Sequence, residues 1–207
     1  MAERAGVFYR LLSHPAVYRA VQTVFGARKA RREFVERYLR PRACEHMLDI
    51  GCGTGVIVEY RPGVRYLGFE PNLKYVEEAR TRFGERGTFV AGYFDREAAE
   101  GLRGQIDVVL VSAVLHHMDD AEAQALFDLL DIVLKPGGRI VTIDGVFVSP
   151  QNPVARFFLS RDRGRHVRTP EGYANLAGGK FAMVGGDVVH RAFPPYTHWI
   201  MTIGKAG

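Results

Sequence analysis

Nine consecutive residues constrain this chain more than any others: Met47-Leu48-Asp49-Ile50-Gly51-Cys52-Gly53-Thr54-Gly55. Met47, Leu48 and Ile50 make a short apolar run of the kind that forms a buried strand. It leads straight into three glycines, where the backbone must turn tightly and come close to a neighbour. A strand, a glycine turn and a helix start together form a nucleotide-type cradle, and that cradle belongs to an α/β sheet.

The ligand of such a cradle depends on its chemistry. The dinucleotide pattern G-x-G-x-x-G is not met, because the third glycine comes one place early and Val56 fills its slot. Asp49 stands two residues before the first glycine. A carboxylate there opposes a pyrophosphate and suits a ligand with positive charge and no phosphate. S-adenosylmethionine (SAM), with its ammonium and sulfonium, is such a ligand.

A chain of 207 residues suits a single domain. Its two cysteines, Cys44 and Cys52, form neither a disulfide framework nor a metal-binding pair, so a reducing, cytoplasmic setting is expected and no metal set is assigned. No apolar run reaches membrane-spanning length, and the N-terminal residues do not read as a signal peptide. The net charge of +5 permits an anionic substrate or contact with a membrane surface, but it does not point to nucleic acid.

Residues 1 to 40 read as helical, with a break at Gly26. The basic run Arg28, Lys29, Arg31, Arg32 opens a helix whose apolar side is Phe34, Val35, Tyr38 and Leu39. That run serves as a solvated face or as part of a lid. After the cradle, Thr54 to Tyr60 leaves room for a short helix only. Val64 to Phe69 reads as a second strand ending at Glu70-Pro71-Asn72, where Glu70 can accept from both hydroxyls of a ribose. Asn72 caps a helix with Leu73, Val76, Ala79 and Phe83 on its apolar side. Thr88 to Ala91 is a third strand. Beyond it, Asp95 caps the next helix, accepts from an adenine amino group, or does both, with Tyr93 or Phe94 lining the ring. Ile106 to Val111 is nearly continuous apolar sequence, as at the centre of a parallel sheet. Asp119 or Asp120 caps a further helix, Lys135-Pro136-Gly137-Gly138 reads as a turn, and Arg139 to Asp144 as a fifth strand. Strands alternating with helices imply a doubly wound α/β fold with a mostly parallel sheet.

Four stretches carry a resemblance: Leu-Asp-Ile-Gly-Cys-Gly-Thr-Gly, Gly-Phe-Glu-Pro-Asn, Asp-Val-Val-Leu-Val-Ser-Ala-Val-Leu-His-His-Met-Asp-Asp and Leu-Lys-Pro-Gly-Gly-Arg-Ile. In this order and spacing they resemble the class I SAM-dependent methyltransferases, near the ubiquinone/menaquinone-type and small-molecule enzymes. The resemblance covers residues 45 to 145 well. It implies a Rossmann-like sheet of seven strands, the last antiparallel, with the first and fourth side by side. It implies that Asp49, Gly51 and Gly53 hold the methionine end of SAM and Glu70 the ribose, with Phe94 and Asp95 near the adenine and Ser112 and Leu115 beside the sulfonium; Cys52, Gly55 and Pro71 are counted among the cofactor-binding residues. Residues 1–40 then form a helical lid, and 146–207 a substrate lid with the closing strands.

The tail is read as short helices from Asn152-Pro153 to Gly164 and from Thr169 to Ala177. Strands follow at Phe181 to Val184, Val188 to Phe193 and Thr197 to Ile203. Phe193-Pro194-Pro195-Tyr196 is a turn between the last two. Arg161, Arg163, Arg165, His166 and Arg168 cluster as a solvated loop or as a site for a carboxylate or phosphate. Phe157, Arg161 and Tyr173 are the candidate acceptor contacts, and the two aromatics serve equally well as core. Methyl transfer from a sulfonium depends mainly on positioning. A hydroxyl acceptor also gains from a base, for which His116 is preferred to His117; Asp144, at the end of the fifth strand, orients a base or binds the acceptor, and both histidines serve equally as helix-start residues. The expected reaction is methyl transfer to a hydroxyl oxygen of an apolar or aromatic small molecule, with an anionic one left open. The competing readings are an RNA or protein methyltransferase and a SAM-binding protein without transfer. Oligomeric state is not read from the sequence.

Overall fold

The computed structural model describes residues 27–60, 63–162, 164–192 and 194–205. The apolar run at Ile106–Ser112 forms strand β4, and Val108 to Val111 have no exposed surface, which requires cover on both faces of the sheet. On one side of β4 lie β1 (His46–Ile50), β2 (Arg65–Glu70) and β3 (Gly87–Ala91). On the other lie β5 (Leu134–Gly145), β7 (Pro195–Gly204) and β6 (Ala182–Ala192). The order is β3-β2-β1-β4-β5-β7-β6. The first five strands are parallel, and β7 runs antiparallel to both of its neighbours. The chain reverses its winding between β1 and β4, so the crevice for a ligand opens over their C-terminal ends.

Helix α1 (Ala27–Phe34) runs on into a π-helical turn at Val35–Leu39. It packs with α2 (Leu73–Phe83) on one face of the sheet, where Val35, Leu39, Val76 and Ala79 meet Met47, Val108, Leu110 and Val141. The other face is covered by α3 (Arg96–Gly101), α4 (Asp120–Val133) and α6 (Pro170–Leu176). There Leu126, Leu130 and Leu176 pack with Leu48, Val109, Val111 and Ile140. The alternation of β4 side chains between the two clusters follows from the pleat. Helix α5 (Pro153–Ser160) lies against β7.

The expected caps form. Asn72, Asp95, Asn152 and Thr169 each accept from a backbone N–H one turn on, and Asp119 with Glu122 makes a reciprocal capping box. Three expectations change. Lys135-Pro136-Gly137-Gly138 is not a separate turn but a bulged segment of β5, because Leu134 pairs with Ile106 while Arg139 already pairs with Val108. The two strands expected at 181–184 and 188–193 are one strand, β6, with a register shift near Gly185. A Cβ on Gly186 would lie 2.2 Å from the Trp199 ring, so this glycine makes room for an indole rather than ending a strand. Leu73 is 55% exposed and stands outside the apolar side of α2. Of the helical lid expected over 1–40, residues 1–26 lie outside the described residues. The rest packs on the sheet, with the Arg139 guanidinium donating to the carbonyls of Leu39 and Arg40.

Candidate functional site

The three cradle glycines all have positive φ, at +71°, +54° and +68°, but they face different things. A Cβ on Gly51 would meet Val114 Cγ2 at 2.6 Å, and one on Gly55 would meet Phe89 at 2.5 Å. Both are packed by the protein itself. A Cβ on Gly53 would find nothing within 4 Å. The open side of the cradle is therefore at Gly53. Its N–H donates to Glu70 Oε2 at 3.0 Å, and the Asn72 N–H donates to Oε1 at 2.8 Å. Glu70 is thus a buried carboxylate that ties the end of β2 to the glycine loop, not a surface turn acid.

Beneath the loop, Asp49 is buried at the end of β1 and accepts from the Tyr66 hydroxyl at 2.6 Å. Its other oxygen, Oδ1, is buried and has no hydrogen-bond partner among the described residues. Burial pushes the Asp49 carboxyl up to about 7; the Tyr66 bond opposes the rise and the Glu70 charge adds to it. A buried carboxylate with an unused lone pair is costly unless a cationic partner arrives.

The second half of the site stands where β4 and β5 end. Ala113 takes φ +56°, an unusual value for a residue with a side chain, and turns the chain into a 3₁₀ turn at Leu115–His117. That turn swings His116 inward. Its Nδ1 lies 2.7 Å from Asp144 Oδ1, and its backbone N–H donates to the same oxygen at 3.2 Å. Its Nε2 faces Asp162 Oδ1 at 3.6 Å. Asp162 accepts in turn from the Tyr196 hydroxyl at 2.7 Å and from the Gly164 N–H at 3.1 Å. Burial raises the Asp144 carboxyl, and its contacts with His116 oppose that rise. Burial also acts upward on Asp162, but the Gly164 N–H and the Tyr196 hydroxyl outweigh it and hold the group below its ordinary value. The His117 ring is exposed and lies against His116, with centroids 4.1 Å apart.

Residues 48–140 match a family model described as a methyltransferase domain. Ubiquinone biosynthesis O-methyltransferase of Bradyrhizobium sp. is 34% identical over 98 residues, covering 46% of this chain and 38% of that protein. The protein of the same name from Acinetobacter baylyi is 25% identical over 81% of this chain and 60% of its own length. Both matches thus leave a large part of the relatives' length outside the alignment. Among solved structures, 1,6-didemethyltoxoflavin-N1-methyltransferase of Burkholderia thailandensis, with bound S-adenosylhomocysteine, superposes with a TM-score of 0.67. The two are 21% identical, and the superposition covers 100% of this chain and 90% of that one. Over residues 48–140 the chain is thus similar to a methyltransferase domain, and its strand order is the one expected of the class I SAM-dependent methyltransferases.

The residues fit the cofactor of that class. Asp49 Oδ1 is a buried acceptor waiting for a donor, Gly53 presents open backbone, and Glu70 stands at the end of β2. Within the methyltransferase domain the remaining expected residues divide. Pro71 is exposed beside Glu70, and Ser112 is half-buried at the end of β4. Cys52 points inward against Gly68, and burial raises its thiol, so only its backbone faces the cradle. Phe94 does not line a surface either: it packs edge-on against Phe69, with centroids 5.2 Å apart, while Tyr93 beside it is 79% exposed. Asp95 caps α3 through the Ala98 N–H. Leu115 is fully buried in the core, where a side chain cannot touch a ligand.

The acceptor candidates change more. Tyr173 is 1% exposed and donates its hydroxyl proton to the Gly145 carbonyl at 2.8 Å, so it is core. Phe157 is exposed, with the Arg161 guanidinium 5.1 Å from its ring centroid. Arg168 is not an anion trap. It donates to the carbonyls of Leu115, His166 and Met118 and to Asp120, and so pins the 160s loop over the β4 turn. Arg163 lies outside the described residues. His116, preferred as the base, is 5% exposed and covered by Gly164, so it does not itself present a nitrogen to an acceptor. Sequence reasoning missed Asp162 and Tyr196. Asp162 had a signal, being the lone acid in the basic run from Arg161 to Arg168.

Proposed function

We propose that this chain transfers the methyl group of SAM to a hydroxyl oxygen of a small molecule. The observation that carries the reading is the meeting of two prepared ends. The open Gly53 backbone with Glu70 and Asp49 lies over β1 and β2, and the Asp144–His116–Asp162 chain lies over the neighbouring β4 and β5. The similarity to ubiquinone biosynthesis O-methyltransferases favours an oxygen acceptor.

Bound in the cradle, SAM supplies an electrophilic methyl group on a sulfonium. The protein's own residues do the rest. Asp49 Oδ1 accepts from the ammonium, and Glu70 holds the ribose hydroxyls while keeping the loop in place through Gly53. The exposed Tyr93 and Pro71 flank the adenine end. As the acceptor oxygen gains the methyl group, it gives up its proton. Asp162, whose side chain is 24% exposed, is the member of the carboxylate–histidine chain that reaches the open side. It takes that proton and shares it with His116 Nε2, and Asp144 holds the imidazole in orientation through Nδ1. His116 and Asp144 are positioning residues in this scheme.

The test uses methyl-labelled SAM with the whole chain and a cell extract separated into small-molecule, protein and RNA pools. Label in the small-molecule pool, with a product heavier by about one CH₂, is the expected outcome. Label confined to protein or RNA would replace this reading with a macromolecular acceptor.

A further inference from the structure

Other half-buried arginines of this protein have partners: Arg139 binds Glu45 and two carbonyls, and Arg168 binds Asp120 and three carbonyls. Arg191 differs. It is half-buried near the end of β6, and among the described residues its guanidinium makes no hydrogen bond or ion pair. Its charged neighbours are Arg31, of the same sign, and Glu33. Burial and then the Arg31 charge hold its guanidinium below the ordinary range, partly offset by Glu33. Partial burial of a cation beside another cation is unfavourable unless an anion arrives.

Its position says where that anion would stand. Side chains alternate along β6. Asp187 meets Arg37 of the π-helical turn after α1 and Val189 packs on the apolar cluster beneath it, so Arg191 shares their face. It pairs across the hairpin with Tyr196, whose ring lies 4.7 Å from that of His198 and whose hydroxyl binds Asp162. His198, opposite Gly145 at the end of β5, is reached by the charges of Arg191, His116 and Asp162. Burial, then Arg191 and His116, lower His198 to about 4, so it is neutral at pH 7 and adds no positive charge to this wall. Arg191 is thus a cation on the wall that leads to Asp162, whereas the Arg168 donors are spent on carbonyls and Asp120.

We propose that Arg191 receives an anionic group of the methyl acceptor, a carboxylate or a phosphate, so that the acceptor is an anionic small molecule whose hydroxyl lies toward Asp162. This rests on the methyltransferase reading above. A guanidinium suits either oxyanion because its planar donors match two oxygens at once.

The test follows the arginine Nε–H signals of the whole chain by NMR during titration with inorganic phosphate and, separately, with benzoate, at fixed ionic strength. The Arg191 signal, assigned by its loss in Arg191→Gln, is expected to shift saturably with one of the two anions, and which anion does so selects phosphate or carboxylate. Arg191→Gln should weaken that binding at least tenfold, and Arg191→Lys by less. Thermal melts of both variants check that they fold, and if one does not the other carries the comparison. If neither anion moves the Arg191 signal, or if Arg191→Gln binds the anion as the parent chain does, the inference is overturned. SAM titrations on the same proteins separate the two failures. SAM binding without an Arg191-dependent anion removes this inference alone, whereas Arg191-dependent anion binding without SAM binding removes the methyltransferase reading instead.

Discussion

His116 and Asp144 are 28 residues apart in the chain, and their Nδ1 and Oδ1 atoms are 2.7 Å apart in the fold. Adjacent parallel strands bring them together: β4 ends in the turn that carries the imidazole, and β5 ends on the carboxylate. The pair is almost entirely enclosed, with side chains 6% and 1% exposed.

If Asp144 orients His116 so that Nε2 can share a proton with Asp162, then Asp144→Asn leaves SAM binding intact and slows the chemical step. A positioned acid–base unit contributes roughly a hundred- to ten-thousand-fold, and a loss of that size in single-turnover rate is expected, with the SAM dissociation constant unchanged. Asp162→Asn should slow the same step, and its rate should lose the dependence on pH that Asp162 gives the parent chain. Equal loss of SAM binding and rate in both variants would mean that the chain is a structural brace.

If Asp49 Oδ1 receives the ammonium of SAM, binding depends on pH. The Asp49 carboxyl is pushed up to about 7 by burial, so the SAM-free protein carries a mixture of protonated and ionised forms at neutral pH. An ammonium favours the ionised form. Binding therefore releases a proton below pH 7, and affinity rises from pH 6 to pH 8. The slope approaches about tenfold per pH unit on the acid side. Calorimetry in buffers of different ionisation enthalpy measures the proton directly. Tyr66→Phe removes the bond that lowers this carboxyl and should move the midpoint to higher pH.

The same raised carboxyl has the opposite effect on stability. The folded state holds the Asp49 proton more tightly than the unfolded chain, so this contribution is full below about pH 4 and is lost as pH rises through 7. Asp49→Asn should therefore raise the melting temperature at pH 8 relative to the parent chain. It should do little at pH 4, and SAM binding should be lost at both. Thermal melts at the two pH values check the sign.

Gly164 and Gly53 make a contrast that separates packing from function. A Cβ on Gly164 would lie 2.0 Å from His116 Cδ2 and 2.5 Å from the His116 carbonyl oxygen. Gly164→Ala must displace the loop or the ring, at about 1–3 kcal/mol. At Gly53 a Cβ meets nothing, although φ is +54°. Gly53→Ala should cost about 1–2 kcal/mol in backbone strain, and its main effect should be on SAM affinity. Denaturant melts and SAM titrations on both variants compare the two.

The sheet was readable because its central strands are apolar on both faces and the glycine cradle stands at a strand end. The caps at Asn72 and Asp95 were readable because capping is local chemistry. What failed was long-range. Nothing near Tyr173 in sequence says that its hydroxyl finds the Gly145 carbonyl, and nothing near Arg168 says that the carbonyls of the β4 turn use up its donors. Phe94 and Tyr93 are adjacent aromatics in the loop after β3, and only the contact with Phe69 shows which one is buried. Asp162 was overlooked among arginines, although one acid in a basic loop needs a reason to be there.

Glu70 gives the most direct test of the cradle as a SAM site. Titration calorimetry of the whole chain with SAM should show saturable binding at one site, and Glu70→Ala should weaken it more than tenfold, because that substitution removes both the ribose acceptor and the brace on Gly53. No SAM binding by the parent chain, or equal binding by Glu70→Ala, would contradict the account.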